Sequence, residues 1–241
     1  MKQIVTALIT LISLSTFAQD KVEVNDANAE KRTVTAGFTA ITVSDGINLY
    51  LTQGNEESIA VSASEEKYME RFKTVVENGT LKIYFDNSGL SWVYSEKRKL
   101  KAYVSFNALE KIHASSGADV ILKSTVSVNK LQCTFTSGAH FSGQVDVGQM
   151  EILQNSGSEI NISGKTDKLQ VDVSSGAIFK GYDLAVDFCE AKATSGGGVR
   201  ITVNKELNAK ANSGGGIRYK GNAVIKDLSV ASGGMVKKES I

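Results

Sequence analysis

From Ser115 onward seven Ser-Gly pairs recur in phase, with their glycines at Gly117, Gly138, Gly157, Gly176, Gly196, Gly214 and Gly233. The steps between these glycines are 21, 19, 19, 20, 18 and 19 residues. A period near 20 marks stacked repeats, each of which buries its apolar face only against its neighbours. The side chains keep phase with the period. Three residues after each glycine stand Val120, Phe141, Ile160, Phe179, Val199, Ile217 and Val236. Five residues before each stand Ile112, Cys133, Ile152, Val171, Ala191, Ala209 and Leu228. Odd offsets are mostly apolar and even offsets mostly polar, the period-2 alternation of strands with one buried face.

A unit of this length holding two or three short strands fits one coil of a parallel β-solenoid. Coils stack about 4.8 Å apart, so like positions form columns inside and outside. The expected fold is therefore all-β: a single-stranded parallel β-helix of right-handed type, with a hexapeptide left-handed helix as the alternative. Ser-Gly then reads as a corner, in which glycine permits a positive φ. Ser116, Ser137, Ser156, Ser175, Ser195, Ser213 and Ser232 would form a ladder, each hydroxyl bonding its own turn or the next coil's serine. Seven equivalent serines are a scaffold rather than a nucleophile, which needs one activated copy beside a base.

The same register judges the two cysteines, Cys133 and Cys189. They fall three coils apart, about 14 Å along the axis, whereas a disulfide needs Cα atoms within about 7 Å. Two free, inward-facing thiols are expected. Neither has Cys or His neighbours at metal-ligand spacing, so no structural zinc and no cofactor are expected.

The chain opens as a secretory signal. Met1-Lys2 precedes the apolar run Ile4 to Leu14, with Thr16 and Ala18 as small residues before a cut. That run is shorter than the roughly 20 residues a membrane span requires. Residues 1–18 are read as the signal peptide and 19–37 as an N-terminal extension. No later segment is apolar enough to span, so the protein is expected to be exported, as a periplasmic, outer-surface or secreted protein. The net charge of +1 offers no global field for nucleic acid. Proline is absent, where average usage would give about a dozen, and this argues against a stalk between modules.

Residues 38–241 are read as one solenoid domain, with 38–110 as an N-terminal section and 111–241 as the Ser-Gly coils. The repeat grammar already appears in Ile41 to Gly54, with Asp45-Gly46 in place of Ser-Gly. Further on, Tyr68, Phe72 and Val75 at helical spacing, a Ser62 or Ser64 N-cap and Asn78-Gly79 as a stop predict a helix. Thr80 to Phe85 and Lys99 to Phe106 alternate as strands, completing a strand-helix-strand section.

Gly46-Ile47-Asn48, then Gly79-Thr80-Leu81, then the serial Ser-Gly-Ala/Gly segments from Ser116 resemble the putative auto-transporter adhesin, head GIN domain family. The likeness runs from about Phe38 to Lys220. It implies an exported β-helix-like domain with an adhesive role, and brings no catalytic or binding residues to carry over. No barrel-forming segment follows the repeats, so transport through a pore of its own is not expected.

Candidate sites lie on the outward, even-offset columns. At plus four, successive coils carry Lys180, Arg200, Arg218 and Lys237, with Lys192 and Lys210 at minus four. Cations stacked at coil spacing repel by roughly 0.9 kcal/mol per neighbour pair in water. Such a stripe suits an anionic polysaccharide or another anionic cell-surface component. The plainer reading is that exposed charges keep a sheet soluble and discourage edge association. At plus two stand Asp119, His140 and Glu159, the alternative polar column. Carboxylates two coils apart would be about 10 Å from each other, slightly beyond the pair in inverting glycosidases. His113 reads as a surface residue. Trp92, with Tyr94, would stack on sugar rings if exposed. No P-loop, dinucleotide fingerprint or nucleophile elbow is present. The leading expectation is a non-enzymatic binding or adhesin-like protein; the alternative is a polysaccharide-active β-helix hydrolase or lyase.

Overall fold

Each of the seven in-phase Ser-Gly pairs forms a two-residue turn with both residues left-handed. The seven serines hold φ between 48° and 53° and the glycines after them between 71° and 75°. The carbonyl before each serine accepts from the N–H after each glycine, as from Ala118 to Ser115 at 3.1 Å and from Gly197 to Thr194 at 2.8 Å. This is the hydrogen-bonded type I′ turn. Asp45-Gly46 repeats it, with φ of 62° and 69°.

The ladder at this corner is made by main chain, not by hydroxyls. Each glycine N–H up to Gly214 donates to the serine carbonyl of the next coil: Gly117 to Ser137 and Gly138 to Ser156 at 3.0 Å, and Gly196 to Ser213 at 3.1 Å. The expected serine-hydroxyl ladder is therefore corrected. The corner serines are all exposed. Among the described residues their one hydroxyl contact, Ser137 with Thr136 at 3.3 Å, stays within its own turn. A left-handed backbone turns Cβ into solvent while the peptide groups lie along the axis and bond coil to coil.

The computed structural model describes residues 26, 28–33, 36–89 and 98–240. Residues 1–18, read above as a signal peptide, and Trp92 and Tyr94 lie outside them. The first part holds β1 (Glu30–Arg32), β2 (Ala40–Val43), β3 (Asn48–Gln53), β4 (Ser58–Ser62), β5 (Phe72–Glu77), β6 (Thr80–Phe85) and β7 (Lys101–Phe106). The repeats give β8 (Lys111–Ala114), β9 (Asp119–Leu122), β10 (Val126–Phe135), β11 (His140–Gln154), β12 (Glu159–Val173), β13 (Ile178–Ala193), β14 (Gly198–Ala211), β15 (Gly216–Lys220), β16 (Val224–Val230) and β17 (Met235–Lys238). The long strands pair in parallel succession, like position opposite like. Cys133, Ile152, Val171, Ala191, Ala209 and Leu228 form one such column. The fold is the expected parallel β-solenoid. Its inward columns merge into one apolar core that runs from Phe38 to Tyr219. Both cysteines are free and buried in it, and burial pushes each thiol up to about 12.

Coil order along the axis does not follow the chain. β2 lies between β6 and β8, and β3 lies between β7 and β9. The coil of β2 and β3 is thus inserted beneath that of β6 and β7, which the chain makes later. Beyond this outermost coil the direction changes. β5 runs antiparallel to β6, β4 antiparallel to β7, and β1 antiparallel to β4. These strands cap the N-terminal end of the parallel stack, with Tyr68, Met69 and Phe72 buried beneath them.

The expected helix is a correction. Only a single 3₁₀ turn, Glu66–Tyr68, is present, and the residues after it form β5. Asn78 and Gly79 do not stop a helix. Their φ of 50° and 72° make the two-residue turn of the β5–β6 hairpin, closing on the pair Glu77 and Thr80. Phe-Lys-Thr-Val-Val is rich in β-formers, and Asn-Gly between such runs is the strongest short hairpin signal.

Candidate binding face

The plus-four cations are direct neighbours. Asn161 pairs with Lys180, Lys180 with Arg200, Arg200 with Arg218, and Arg218 with Lys237, across the succession β12, β13, β14, β15 and β17. Parallel strands this close set the side chains about 4.8 Å apart in one outward column. Like charges at that spacing need partial neutralisation, and two members of the column have it. The Lys180 ammonium meets Glu159 at 2.6 Å, and the Arg218 guanidinium meets Glu239 at 3.4 Å. Arg200, between them, is exposed and has no hydrogen bond or salt bridge among the described residues.

Tyr182 lies beside this column. Its hydroxyl donates to Glu239 at 2.6 Å, and the Lys220 ammonium sits 4.7 Å over its ring. Burial, and then the carboxylate it bonds, push the Tyr182 phenol up to about 12. The same hydrogen bond, helped by Arg218, holds Glu239 below the usual carboxylate range. The face thus carries Lys180, Arg200, Arg218, Lys220 and Lys237 against the two carboxylates bonded to them. It is a basic surface whose spacing is fixed by the sheet.

Lys192 and Lys210 do not join it. They stand opposite one another in β13 and β14, but on the segments that precede the Ser-Gly corner, so the turn separates them from the plus-four column. Each also has a carboxylate, Asp172 at 2.8 Å and Asp227 at 3.5 Å. Asp119, His140 and Glu159 do stand in successive register. Glu159 is engaged by Lys180, and the column continues as Ile178 and Gly198. Among the described residues no three His, Cys, Asp or Glu side chains are grouped to hold a metal ion. His113 stands between Thr42 and Thr134 on the other sheet segment.

Two features escaped the sequence reading. Tyr50 and Tyr103 stack at 5.1 Å, in the column that later becomes basic. On the segments before the corner a groove of about 330 Å³ runs past Gln149, Lys168, Gln170, Phe188 and Glu190. Phe188, the aromatic residue in an outward polar column, was the available signal for it.

The family model described as putative auto-transporter adhesin, head GIN domain matches residues 37–223, most of the chain. The chain belongs to this head GIN family. The head GIN fold is also seen in solved structures. A crystal structure of a putative adhesin from Bacteroides fragilis superposes with a TM-score of 0.80 at 17% identity, covering 89% of this chain and 98% of that one. A putative adhesin from Parabacteroides merdae gives 0.67 at 19% identity, over 88% and 95%. A protein from Parabacteroides distasonis described as a putative lipid binding protein gives 0.61 at 17%, over 89% and 98%. At these identities the likeness concerns the fold alone. No curated protein matches the chain.

Proposed function

We propose that this head GIN protein is an exported, non-enzymatic adhesin-like module whose basic column binds an anionic polymer of a cell surface, an acidic glycan in the first place. Export rests on the signal-like residues 1–18, and the adhesive role rests on the family. The observation that carries the ligand class is Arg200. It is exposed and unpaired among the described residues, in the middle of a column whose other members are spaced by the sheet itself. A guanidinium in that position gains a partner on binding without breaking an existing one, and its planar fork accepts carboxylate, sulfate or phosphate in two-point contact. A catalytic reading of Asp119 and Glu159 has no comparable support, because Glu159 is held by Lys180 at 2.6 Å.

The test measures binding to polygalacturonate and to phosphatidylglycerol vesicles, at low and high salt. Salt-sensitive binding to the glycan is expected. Exposed charge contacts are each worth up to about 1 kcal/mol, so Arg200→Ser with Arg218→Ser should weaken it roughly tenfold. Vesicle binding without glycan binding would move the ligand class to lipid headgroups. Binding to neither, or binding insensitive to both substitutions, would sink the reading.

A further inference from the structure

The coil register breaks beside the basic column. In β13 Gly181 pairs with Ile201 of β14 and Ala185 with the next residue, Thr202, so Tyr182, Asp183 and Leu184 have no partner on that strand. Against β12 the same stretch of β13 carries one residue more, between the pairs Asn161–Lys180 and Ser163–Asp183. The Thr202 hydroxyl donates to the Tyr182 carbonyl at 2.7 Å and anchors the bulge. Bulges recur next to functional sites because they re-aim a side chain, and this one re-aims a tyrosine. The residue it bonds, Glu239, follows β17, three coils away through β14 and β15, or about 14 Å along the axis. The phenol oxygen is nevertheless 2.6 Å from the Glu239 carboxylate. In the coils from β11 to β17 the other side-chain hydrogen bonds and ion pairs among the described residues stay within one coil or join adjacent ones. Both side chains therefore lie lengthwise along the axis, beside Arg200 and Arg218. The carboxylate they bring there is held by both oxygens: Oε2 accepts from the Tyr182 hydroxyl and Oε1 faces the Arg218 Nε at 3.4 Å.

We propose that Tyr182 and Arg218 form a carboxylate subsite of the basic face, filled in the free chain by Glu239 and yielded to a uronate carboxylate when a glycan binds. The inference rests on the reading above, that the basic column takes an acidic glycan, and adds which acidic group it selects and what that group must displace. Two donors, one for each oxygen of a flat group, match a carboxylate. The exchange is like for like. One carboxylate leaves Tyr182 and Arg218 as another arrives, so neither donor is left without an acceptor at the end. Unpaired Arg200, the next member of the column, gives the incoming chain a contact that no internal carboxylate contests. Glu239 acts twice against binding: it occupies the two donors, and its charge repels a polyanion at the middle of the column. The seat is half-exposed, with Glu239 31% and Arg218 42% exposed in their side chains, so the internal ion pair is weak enough for a ligand to break.

The test compares the full chain with Glu239→Gln for binding to polygalacturonate and to dextran sulfate at low salt. Glu239→Gln keeps the shape of the side chain and should bind polygalacturonate roughly fivefold more tightly, the worth of one exposed ion pair. Glu77→Gln, at the β5–β6 turn in the cap, adds the same net charge and should change binding by less than about twofold, because a distant charge is screened. Adding Tyr182→Phe to Glu239→Gln keeps the ring, removes the donor, and should cancel the gain on polygalacturonate while leaving dextran sulfate unaffected. A wild-type chain that binds while Glu239→Gln binds no better overturns the subsite and leaves the basic column standing. A lower melt with unchanged affinity has the same meaning: Glu239 only pins the last strand. An equal gain from Glu77→Gln, or a gain that survives Tyr182→Phe, or equal losses on both polymers, also overturns it. If neither the wild-type chain nor Glu239→Gln binds either polymer, the reading of the column falls and the subsite with it.

Discussion

At Gly196 the main chain holds φ at 75° with open space where a Cβ would stand, whereas at Gly197 a Cβ would meet the carbonyl oxygen of Val173 in the previous coil. That oxygen accepts the Thr194 N–H at 2.9 Å, one of the bonds that join coils. Gly196 is required by a backbone angle and Gly197 by space. Gly196→Ala should therefore cost about 1–2 kcal/mol, the left-handed penalty. Gly196→Asn should recover most of it, because asparagine tolerates that region. At Gly197 the order should reverse, with alanine costing about 1–3 kcal/mol through overpacking and asparagine more. Urea midpoints for the four variants check this, and asparagine rescue at both positions would contradict it. In the sequence the two glycines sit together in "TSGGGV" and look alike. The period picks out the corner, but the clash belongs to a carbonyl some two dozen residues earlier in the chain.

The stretch from Tyr68 to Thr80 carries the same lesson for an element. Tyr68, Phe72 and Val75 share helical spacing, and the first two are indeed buried, but Val75 is 37% exposed. The apolar periodicity was too short to choose between periods. What decided the outcome was the open edge of β6, which offers a full row of hydrogen bonds to an antiparallel partner, and a turn dipeptide suited to making one. Replacing Asn78-Gly79 by Ala-Ala separates the two readings. A helix end would tolerate it or gain, whereas a type I′ hairpin must force two alanines into positive φ. A loss of about 2–4 kcal/mol is expected, from two left-handed penalties. The same melt should show no change in helical signal. By contrast, the Ser-Gly coils were legible one by one, because each strand repeats its pattern in a neighbour.

For the whole molecule the continuous core sets the response to alkali. Burial raises both cysteine thiols from 9.0 to about 12, and Tyr182 is raised from 10.0 to about 12. A raised pKa means that the unfolded chain loses its proton first. The stability these groups contribute is complete below pH 9 and declines as pH climbs towards 12, by about 1.4 kcal/mol per pH unit for each buried thiol. The urea midpoint should fall steeply from pH 9 to 11, and less steeply when Cys133 and Cys189 are both replaced by alanine. Equal slopes would mean that the thiols are not enclosed. Of the basic face, Lys180, Arg200, Arg218 and Lys237 were legible because register follows from the period. The separation of Lys192 and Lys210 was not, since a count of residues does not say which way a corner turns. The sequence by itself determined the coil, its inward columns and the stacking of like positions, because a parallel ladder ties chemistry to period. Only the tertiary structure decided the exchanged order of the first coils and the antiparallel cap at one end. Those depend on which free strand edge a segment meets, and a strand edge exists only once its neighbours are in place.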